Sequence, residues 1–245
     1  MKQVVQQART GKLELLEVPV PTPTRGQVLV RNRYSVVSTG TERDALSFAR
    51  MSLFGKARMR PDLEAQVRQK FREEGPLPTY RTVMTRLDAA QPLGYSSAGL
   101  VEAVGAGVER FVPGDRVACA GAGYANHAEF IVVPENLVAP VPEGVALELA
   151  SFATLGAIAI QGLRVAEPTL GEIGAVIGLG LIGQLTVQLL RANGCQVVGV
   201  DIDPARVKTA LEQGAECAFE PDQVPEATLL ALTDGHGVDL VVVAA

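Results

Sequence analysis

The chain has 245 residues, of which 47% are hydrophobic and 20% charged, and its formal net charge is −5. This length and apolar content allow two domains with separate cores, and the acidic balance argues against nucleic-acid binding. Apolar runs stop short of membrane-spanning length and residues 1–7 lack a signal-peptide core, so we expect a soluble cytoplasmic protein that does not contact membranes.

The first part of the chain, residues 1 to about 42, alternates apolar and polar positions between Pro and Gly residues. Residues 13–18 and 27–31 are the clearest examples, and a period of two predicts short antiparallel strands. Strand signals return in three later segments, at 99–105, 115–120 and 128–133. We therefore predict a β-rich, barrel-like domain over residues 1–146.

Residues 43–90 interrupt this pattern with two amphipathic helical stretches, 62–72 and 80–87, and we interpret them as a helical insertion. Ten Lys and Arg residues against six Asp and Glu residues make the insertion basic within an acidic chain. A solvated helical face is the favoured interpretation. The alternative is a cover that attracts anionic substrates or a partner domain.

A second domain is expected over residues 147–245, with the hinge between domains somewhere in 145–170. Its main feature is the sequence Gly-Leu-Gly-Leu-Ile-Gly at 178–183, which follows a short apolar run and opens a helical stretch. A second apolar run then ends at Asp201. Strand, glycine turn, helix and strand with a terminal acid form the dinucleotide-binding βαβ pattern. A turn that only packs tightly is the less favoured alternative.

Each glycine of this fingerprint has a physical task. Gly178 permits the tight turn, Gly180 lets the backbone approach a pyrophosphate, and Gly183 lets the helix pack closely on the strand. The start of the helix offers unpaired N–H groups and a partial positive charge to the phosphates. The predicted phosphate-binding residues are Gly178, Leu179, Gly180, Leu181, Ile182 and Gly183.

Asp201 and Arg206 are predicted to decide which dinucleotide binds. The Asp201 carboxylate can accept hydrogen bonds from the adenosine ribose and would repel a 2′-phosphate, so NAD is favoured over NADP. We expect no compensating cation close to Asp201, and Arg206 is the one residue that could reverse this preference.

Downstream, residues 204–213 are predicted to be helical, with strands at 215–219 and 238–244. A full dinucleotide-binding fold has two βαβαβ halves, and little more than one is present. The predicted fold class is therefore α/β, a β-rich domain followed by a C-terminally truncated Rossmann domain. We expect this truncated chain to be a poor catalyst by itself.

Several segments carry a family resemblance: the Val-Pro-Gly-Asp-Arg-Val sequence ending at Val117, Ala-Glu-Phe at 128–130, residues 136–142, and the fingerprint. Together they resemble the medium-chain dehydrogenase/reductase superfamily. The resemblance implies a GroES-like catalytic domain, a Rossmann coenzyme domain and an active site in the cleft between them. The insertion and residues 121–130 also resemble the N-terminal module of bacterial bi-domain oxidoreductases, which implies an NAD-linked enzyme acting on a polyol or sugar-derived alcohol.

The zinc alcohol dehydrogenases of this superfamily bind their catalytic metal through a Cys, a His and a further Cys or acid. The matching positions here hold Ser38, Tyr95 and Thr154, and neutral hydroxyls are poor zinc ligands. The four-cysteine loop of many relatives is also missing, and the three cysteines follow no metal-ligand spacing. We therefore predict that the protein binds no zinc.

Without a metal, another group must stabilise the alkoxide and take its proton. The hydroxyl-bearing residues expected to converge in place of the metal are Ser38, Thr39, Tyr95, Ser96 and Thr154. Tyr95 is the best candidate for a proton donor or oxyanion stabiliser, and a packed aromatic with a satisfied hydroxyl is the alternative. Turn or helix hydroxyls are favoured for Ser38 and Thr154, and a structural role is favoured for His127.

Three functions remain open at this stage. The first is an NAD-dependent alcohol or sugar dehydrogenase that acts on a small-molecule alcohol or carbonyl. The second is a zinc-free enone or quinone reductase, and the third is a catalytically silent dinucleotide-binding module. The expected assembly is a homo-oligomer or a complex with a fused or partner oxidoreductase domain.

Overall fold

A computed structural model describes residues 1–7, 10–38, 40, 42, 69, 71–73, 75–78, 81 and 90–245. The chain forms two compact units, Met1–Ala153 and Thr154–Ala245. This division comes later than the predicted boundary after residue 146, because the short helix α1 (Leu147–Ala150) packs on the first unit through Leu147 and Ala150. Most of the predicted helical insertion at 43–90 lies outside the described residues.

In the described part of the first unit, the strands form two antiparallel sheets. One sheet has the order β2-β1-β4 and the other has the order β7-β3-β5-β6-β8. The strands are β1 (Lys2–Gln7), β2 (Leu13–Glu17), β3 (Gln27–Ser35), β4 (Ala90–Pro92), β5 (Ser96–Val104), β6 (Arg116–Ala120), β7 (Phe130–Pro134) and β8 (Val138–Pro140).

The core of the first unit lies against the larger sheet. Alternate residues of β3 and β5–β8 point into it, together with Phe111 from a connecting loop. An isolated bridge pairs Gln3 of β1 with Ala128, two residues before β7. Strand β4 was not predicted, because its three residues end in a proline and directly follow the insertion.

The second unit is built on a parallel sheet with the strand order β11-β10-β9-β12 among the described residues. Its helices cover the sheet through a core of Val176, Val187, Leu190 and Val197. The strands are β9 (Ile173–Ile177), β10 (Gln196–Val200), β11 (Cys217–Phe219) and β12 (Leu240–Val243). The helices are α2 (Ala153–Ala166), α3 (Leu181–Ala192), α4 (Pro204–Glu212) and α5 (Glu226–Leu232).

The predicted α/β class, with a β-rich part followed by a parallel sheet, is confirmed. Helix α5 was not predicted from the sequence, because it is short and its N-cap residue, Pro225, is not one of the residue types that signal a helix start. The edge strand β12 was predicted, and Val241 and Val243 point outward from it. Of the helices in the described ranges, none has the length and apolar character needed to cross a bilayer.

Candidate dinucleotide-binding site

Steric contacts explain two of the three fingerprint glycines. Gly178 has a φ of 90°, which disfavours any side chain, and its N–H donates to the Val200 carbonyl at 2.8 Å. A Cβ added at Gly183 would lie 1.9 Å from the Gly178 carbonyl oxygen. The first turn of α3 therefore lies directly against the end of β9, where the sequence pattern placed it.

Gly180 has a different environment. A Cβ at this residue would meet no atom within 4 Å, so the glycine is not required by packing. Gly180 is the N-cap of α3 and provides no side-chain hydrogen bond to the helix. The first N–H groups of α3, on Leu181 and Ile182, also have no carbonyl of their own helix to bind. An open, uncapped helix start fits a pyrophosphate, because both the N–H groups and the helix dipole favour an anion.

Asp201 has a contact that the sequence did not predict. The residue is 6% exposed, and its Oδ2 accepts a hydrogen bond of 2.6 Å from the Leu179 N–H. Its Oδ1 accepts a second bond, of 2.8 Å, from the Asp203 N–H. The carboxylate thus connects the end of β10 to the fingerprint turn, in addition to any contact it makes with a ribose.

Arg206 lies beside this carboxylate. Its Nη1 is 3.5 Å from Asp201 Oδ2 and its Nε is 3.6 Å from Asp203 Oδ2. The expectation that no cation lies near Asp201 was wrong, because the first turn of α4 brings residue 206 back over the end of β10. The Arg206 side chain is 49% exposed, so it remains available to an incoming anion.

Gln184 is a further residue that the sequence did not identify. Its Nε2 donates to the Leu179 carbonyl at 3.1 Å and to the Arg206 carbonyl at 2.9 Å. One amide therefore connects the fingerprint turn, α3 and α4. The bond to Arg206 links positions 22 residues apart, so only the folded chain reveals it.

The pKa of Asp201 follows from these contacts. Burial acts to raise the pKa of this carboxyl, but the N–H groups of Asp203 and Leu179 and the Arg206 guanidinium outweigh it, and the pKa lies below its usual value. The carboxylate is therefore held in its ionised form. Its contacts contribute stability above the pKa of an unfolded Asp, about 4, and that contribution is lost as the pH falls through the lower folded value.

Asp201→Asn should consequently destabilise the second unit in a pH-dependent way. An amide cannot accept both backbone N–H bonds, so we expect a loss of about 1–3 kcal/mol at pH 7. The difference between wild type and variant should shrink as the pH falls below about 4, because the carboxyl of the unfolded chain becomes protonated there while the native carboxyl stays ionised down to its lower pKa. Thermal unfolding of both proteins from pH 7 to pH 3 measures this difference in stability. A gap that stays constant with pH would contradict the proposed role of the charge.

The predicted hydroxyl residues are placed as follows. Ser38 is buried, and its N–H lies 3.3 Å from Glu42 Oε1, while its carbonyl accepts the Glu42 N–H at 2.9 Å. Tyr95 is half-buried in the first unit. Ser96 donates its Oγ hydrogen to the Ser151 carbonyl at 2.5 Å. Thr154 is half-buried in α2 of the second unit, and Thr39 lies outside the described residues.

Comparison with known protein families identifies both parts of the chain. Residues 62–143 match the family described as "Alcohol dehydrogenase GroES-like domain". Residues 182–245, which begin inside the fingerprint, match the family described as "Zinc-binding dehydrogenase". The chain belongs to the medium-chain dehydrogenase/reductase superfamily.

Individual members of the superfamily show the extent of this similarity. The chain is 32% identical to a quinone oxidoreductase of Rattus norvegicus over 155 residues, which cover 61% of this chain and 46% of the relative. It is 28% identical to an alcohol dehydrogenase of Moraxella sp. (strain TAE123) over 182 residues, which cover 62% and 54%. The chain thus spans about half the length of these relatives.

A solved structure extends the similarity to the fold. A short chain alcohol dehydrogenase from Escherichia coli CFT073, complexed with NADH, superimposes with a TM-score of 0.74. The match covers 100% of this chain and 69% of that one, at 23% sequence identity. At this identity the likeness establishes the shared fold.

The residues predicted to occupy the zinc-ligand positions do not suit the metal. Ser38, Tyr95 and Thr154 offer neutral hydroxyls, whereas zinc is bound by thiolate, imidazole or carboxylate. Within the described ranges, no group of three or more His, Cys, Asp and Glu side chains is arranged to hold a metal ion. The absence of zinc remains a prediction.

Proposed function

We propose that this chain is part of an NAD-dependent oxidoreductase that transfers a hydride between nicotinamide and an alcohol or carbonyl substrate without catalytic zinc. The observation that carries the proposal is the uncapped start of α3 at Gly180, with the ionised Asp201 at the end of the adjacent strand. Membership of the dehydrogenase/reductase superfamily supports the same activity.

Different residues of the second unit would bind different parts of the cofactor. The N–H groups at the start of α3 would bind the pyrophosphate, and Asp201 would accept bonds from the adenosine ribose. When bound, the nicotinamide supplies the two-electron hydride acceptor. Gln184 and the Leu179–Asp201 bond would keep the turn in its binding conformation.

The first unit would supply the groups that act on the substrate oxygen. Tyr95 is proposed as the proton donor or oxyanion stabiliser, with Ser38 as a second hydroxyl. A polyol or sugar-derived alcohol is the proposed substrate class, as the resemblance to the bi-domain oxidoreductases implies. The Moraxella relative, which is named an alcohol dehydrogenase, supports an alcohol as the substrate.

A quinone or enone reductase is the second candidate. It is favoured by the rat relative, which is named a quinone oxidoreductase and is 32% identical over its matched region. The proximity of Arg206 to Asp201 also favours it, because a cation at this position would tolerate the 2′-phosphate of NADPH.

Turnover assays at 340 nm separate the candidates. We expect NAD to be reduced by a panel of secondary alcohols and polyols, including butane-2,3-diol and sorbitol, and Tyr95→Phe to lower this rate by about 10²-fold or more. NADH binding should be unchanged in the variant, which separates chemistry from folding. Consumption of NADPH with benzoquinone, without alcohol oxidation, would establish the second candidate. Dinucleotide binding without either reaction would indicate a catalytically silent module.

A further inference from the structure

The side-chain amide of Gln184 closes a ring of contacts in the second unit. Its Nε2 donates to the Leu179 carbonyl at 3.1 Å and to the Arg206 carbonyl at 2.9 Å. The Leu179 N–H donates to Asp201 Oδ2 at 2.6 Å, and Arg206 Nη1 lies 3.5 Å from the same oxygen. We call these four residues the Gln184 ring. The ring joins the fingerprint turn to both charged groups that are predicted to select the cofactor.

Leu179 is the fixed side of this ring. Both of its backbone groups are bound by side chains, the N–H by Asp201 and the carbonyl by Gln184. Its own side chain is 1% exposed, and a Cβ added at Gly199 of β10 would lie 3.1 Å from Leu179 Cδ1. Because close packing resists displacement, the fingerprint turn provides a rigid support for the other members of the ring.

Arg206 is the adjustable side. Its Nη1 and Nε lie 3.5 and 3.6 Å from carboxylate oxygens of Asp201 and Asp203, and its side chain is 49% exposed. A strong charge-assisted hydrogen bond is shorter, about 2.7–2.9 Å, so these contacts restrain the guanidinium only weakly. Its position then depends on the backbone of residue 206, whose N–H donates to the Asp203 carbonyl at 3.0 Å and whose carbonyl is bound by Gln184.

Helix α4 does not need Gln184 in order to form. Its N-cap, Asp203, accepts the Ala205 N–H at 2.9 Å, and Pro204 occupies the first helical position. The Gln184 Oε1 atom is buried and has no hydrogen-bond donor among the described residues. A methionine at 184 would therefore remove two donated bonds and no accepted one. Such a change detaches the first turn of α4 from the fingerprint turn and leaves the helix capped.

We propose that Gln184 is a positioning residue for cofactor selection, and this proposal rests on the proposed function. By binding the Arg206 carbonyl, Gln184 keeps the guanidinium beside the Asp201 carboxylate and limits its pairing with a 2′-phosphate. When the amide is removed, the first turn of α4 can move and the guanidinium can pair with that phosphate. A dinucleotide with a free 2′-hydroxyl needs only Asp201, so the two ligands respond differently.

Calorimetric titration with two ligands that lack nicotinamide tests this role without any assay of turnover. The ligands are ADP-ribose and 2′-phospho-ADP-ribose, and the quantity compared is the Kd of the second divided by the Kd of the first. In Gln184→Met this ratio should fall at least about threefold below that of wild type, a change within the range of coupling between neighbouring residues.

Two further variants show whether the effect passes through Arg206. Gln188→Met is the matched control, because it makes the same substitution one turn later in α3, where the amide donates to the Gln184 carbonyl at 3.3 Å. Its Kd ratio should equal that of wild type. In an Arg206→Ala background, Gln184→Met should leave the ratio unchanged, because no guanidinium remains to be released.

An equal loss of affinity for both ligands in Gln184→Met would overturn the proposal, because the amide would then only support the fold. A change in the ratio that persists in the Arg206→Ala background would overturn it as well. A single unfolding transition verifies that each variant is folded. If wild type binds both ligands but transfers no hydride, only the proposed activity fails, whereas binding of neither ligand would overturn both proposals.

Discussion

Gly183→Ala is expected to abolish dinucleotide binding and to lower the thermal midpoint by roughly 2–12 °C. The added methyl group would lie 1.9 Å from the Gly178 carbonyl oxygen, so α3 must move away from β9. Overpacking of this kind costs about 1–3 kcal/mol, and 1 kcal/mol corresponds to about 2–4 °C in a chain of this size. Differential scanning fluorimetry and titration with ADP-ribose measure both effects.

Gly180→Ala is the matched control, with a different expected profile. A methyl group there meets no protein atom within 4 Å, and the backbone φ of −69° suits alanine. The thermal midpoint should therefore stay within about 2 °C of wild type, because substitutions outside the core that create no clash rarely cost more than about 0.5 kcal/mol. Affinity for ADP-ribose should fall at least about tenfold, because the methyl group occupies the approach of the pyrophosphate. Normal binding by this variant would show that the phosphates do not pass over residue 180.

A large difference is also expected between the affinities for NADH and NADPH. We expect NADH to bind at least about tenfold more tightly than NADPH, because the ionised Asp201 repels a 2′-phosphate more strongly than the half-exposed Arg206 attracts it. Calorimetric titration of wild type with both cofactors gives the ratio.

Two variants should move this ratio in opposite directions. Arg206→Ala removes the cation 3.5 Å from Asp201 and should increase the preference for NADH. Asp201→Asn removes the repelling charge while Arg206 remains, so the two affinities should become nearly equal. If Arg206→Ala leaves the ratio unchanged, the guanidinium does not act on the 2′ position. Equal affinities in wild type would remove Asp201 from its proposed role.

The fingerprint could be predicted from sequence because its information is local. Gly178, Gly183 and Asp201 belong to one βαβ unit. Glycine is needed at 183 because the helix packs closely on the strand, and at 178 because the turn requires a positive φ. The hydrogen bond from Leu179 to Asp201 could not be predicted, because it depends on how the turn folds back over the end of β10. The ion pair with Arg206 depends similarly on the angle at which α4 leaves the sheet.

The first unit shows the opposite case. The alternation of apolar residues predicted most of its strands, yet the contacts of His127 depend on long-range antiparallel pairing that brings residues 35, 42 and 127 together. A histidine before a strand gives no signal of its partners. A structural role was favoured for His127, and its packing on Gly94 fits such a role, but the hydroxyl and carboxylate at its two nitrogens are chemical features that only the fold reveals.

The central claim is that the start of α3 and Asp201 form a dinucleotide-binding site within this chain. Calorimetric titration of residues 1–245 with ADP-ribose tests it most directly, because this ligand contains the pyrophosphate and adenosine but lacks the nicotinamide. We predict saturable binding with one site per chain, lost in Gly183→Ala and weakened in Gly180→Ala. An absence of binding to folded wild-type protein, or equal binding to wild type and Gly183→Ala, would contradict the claim.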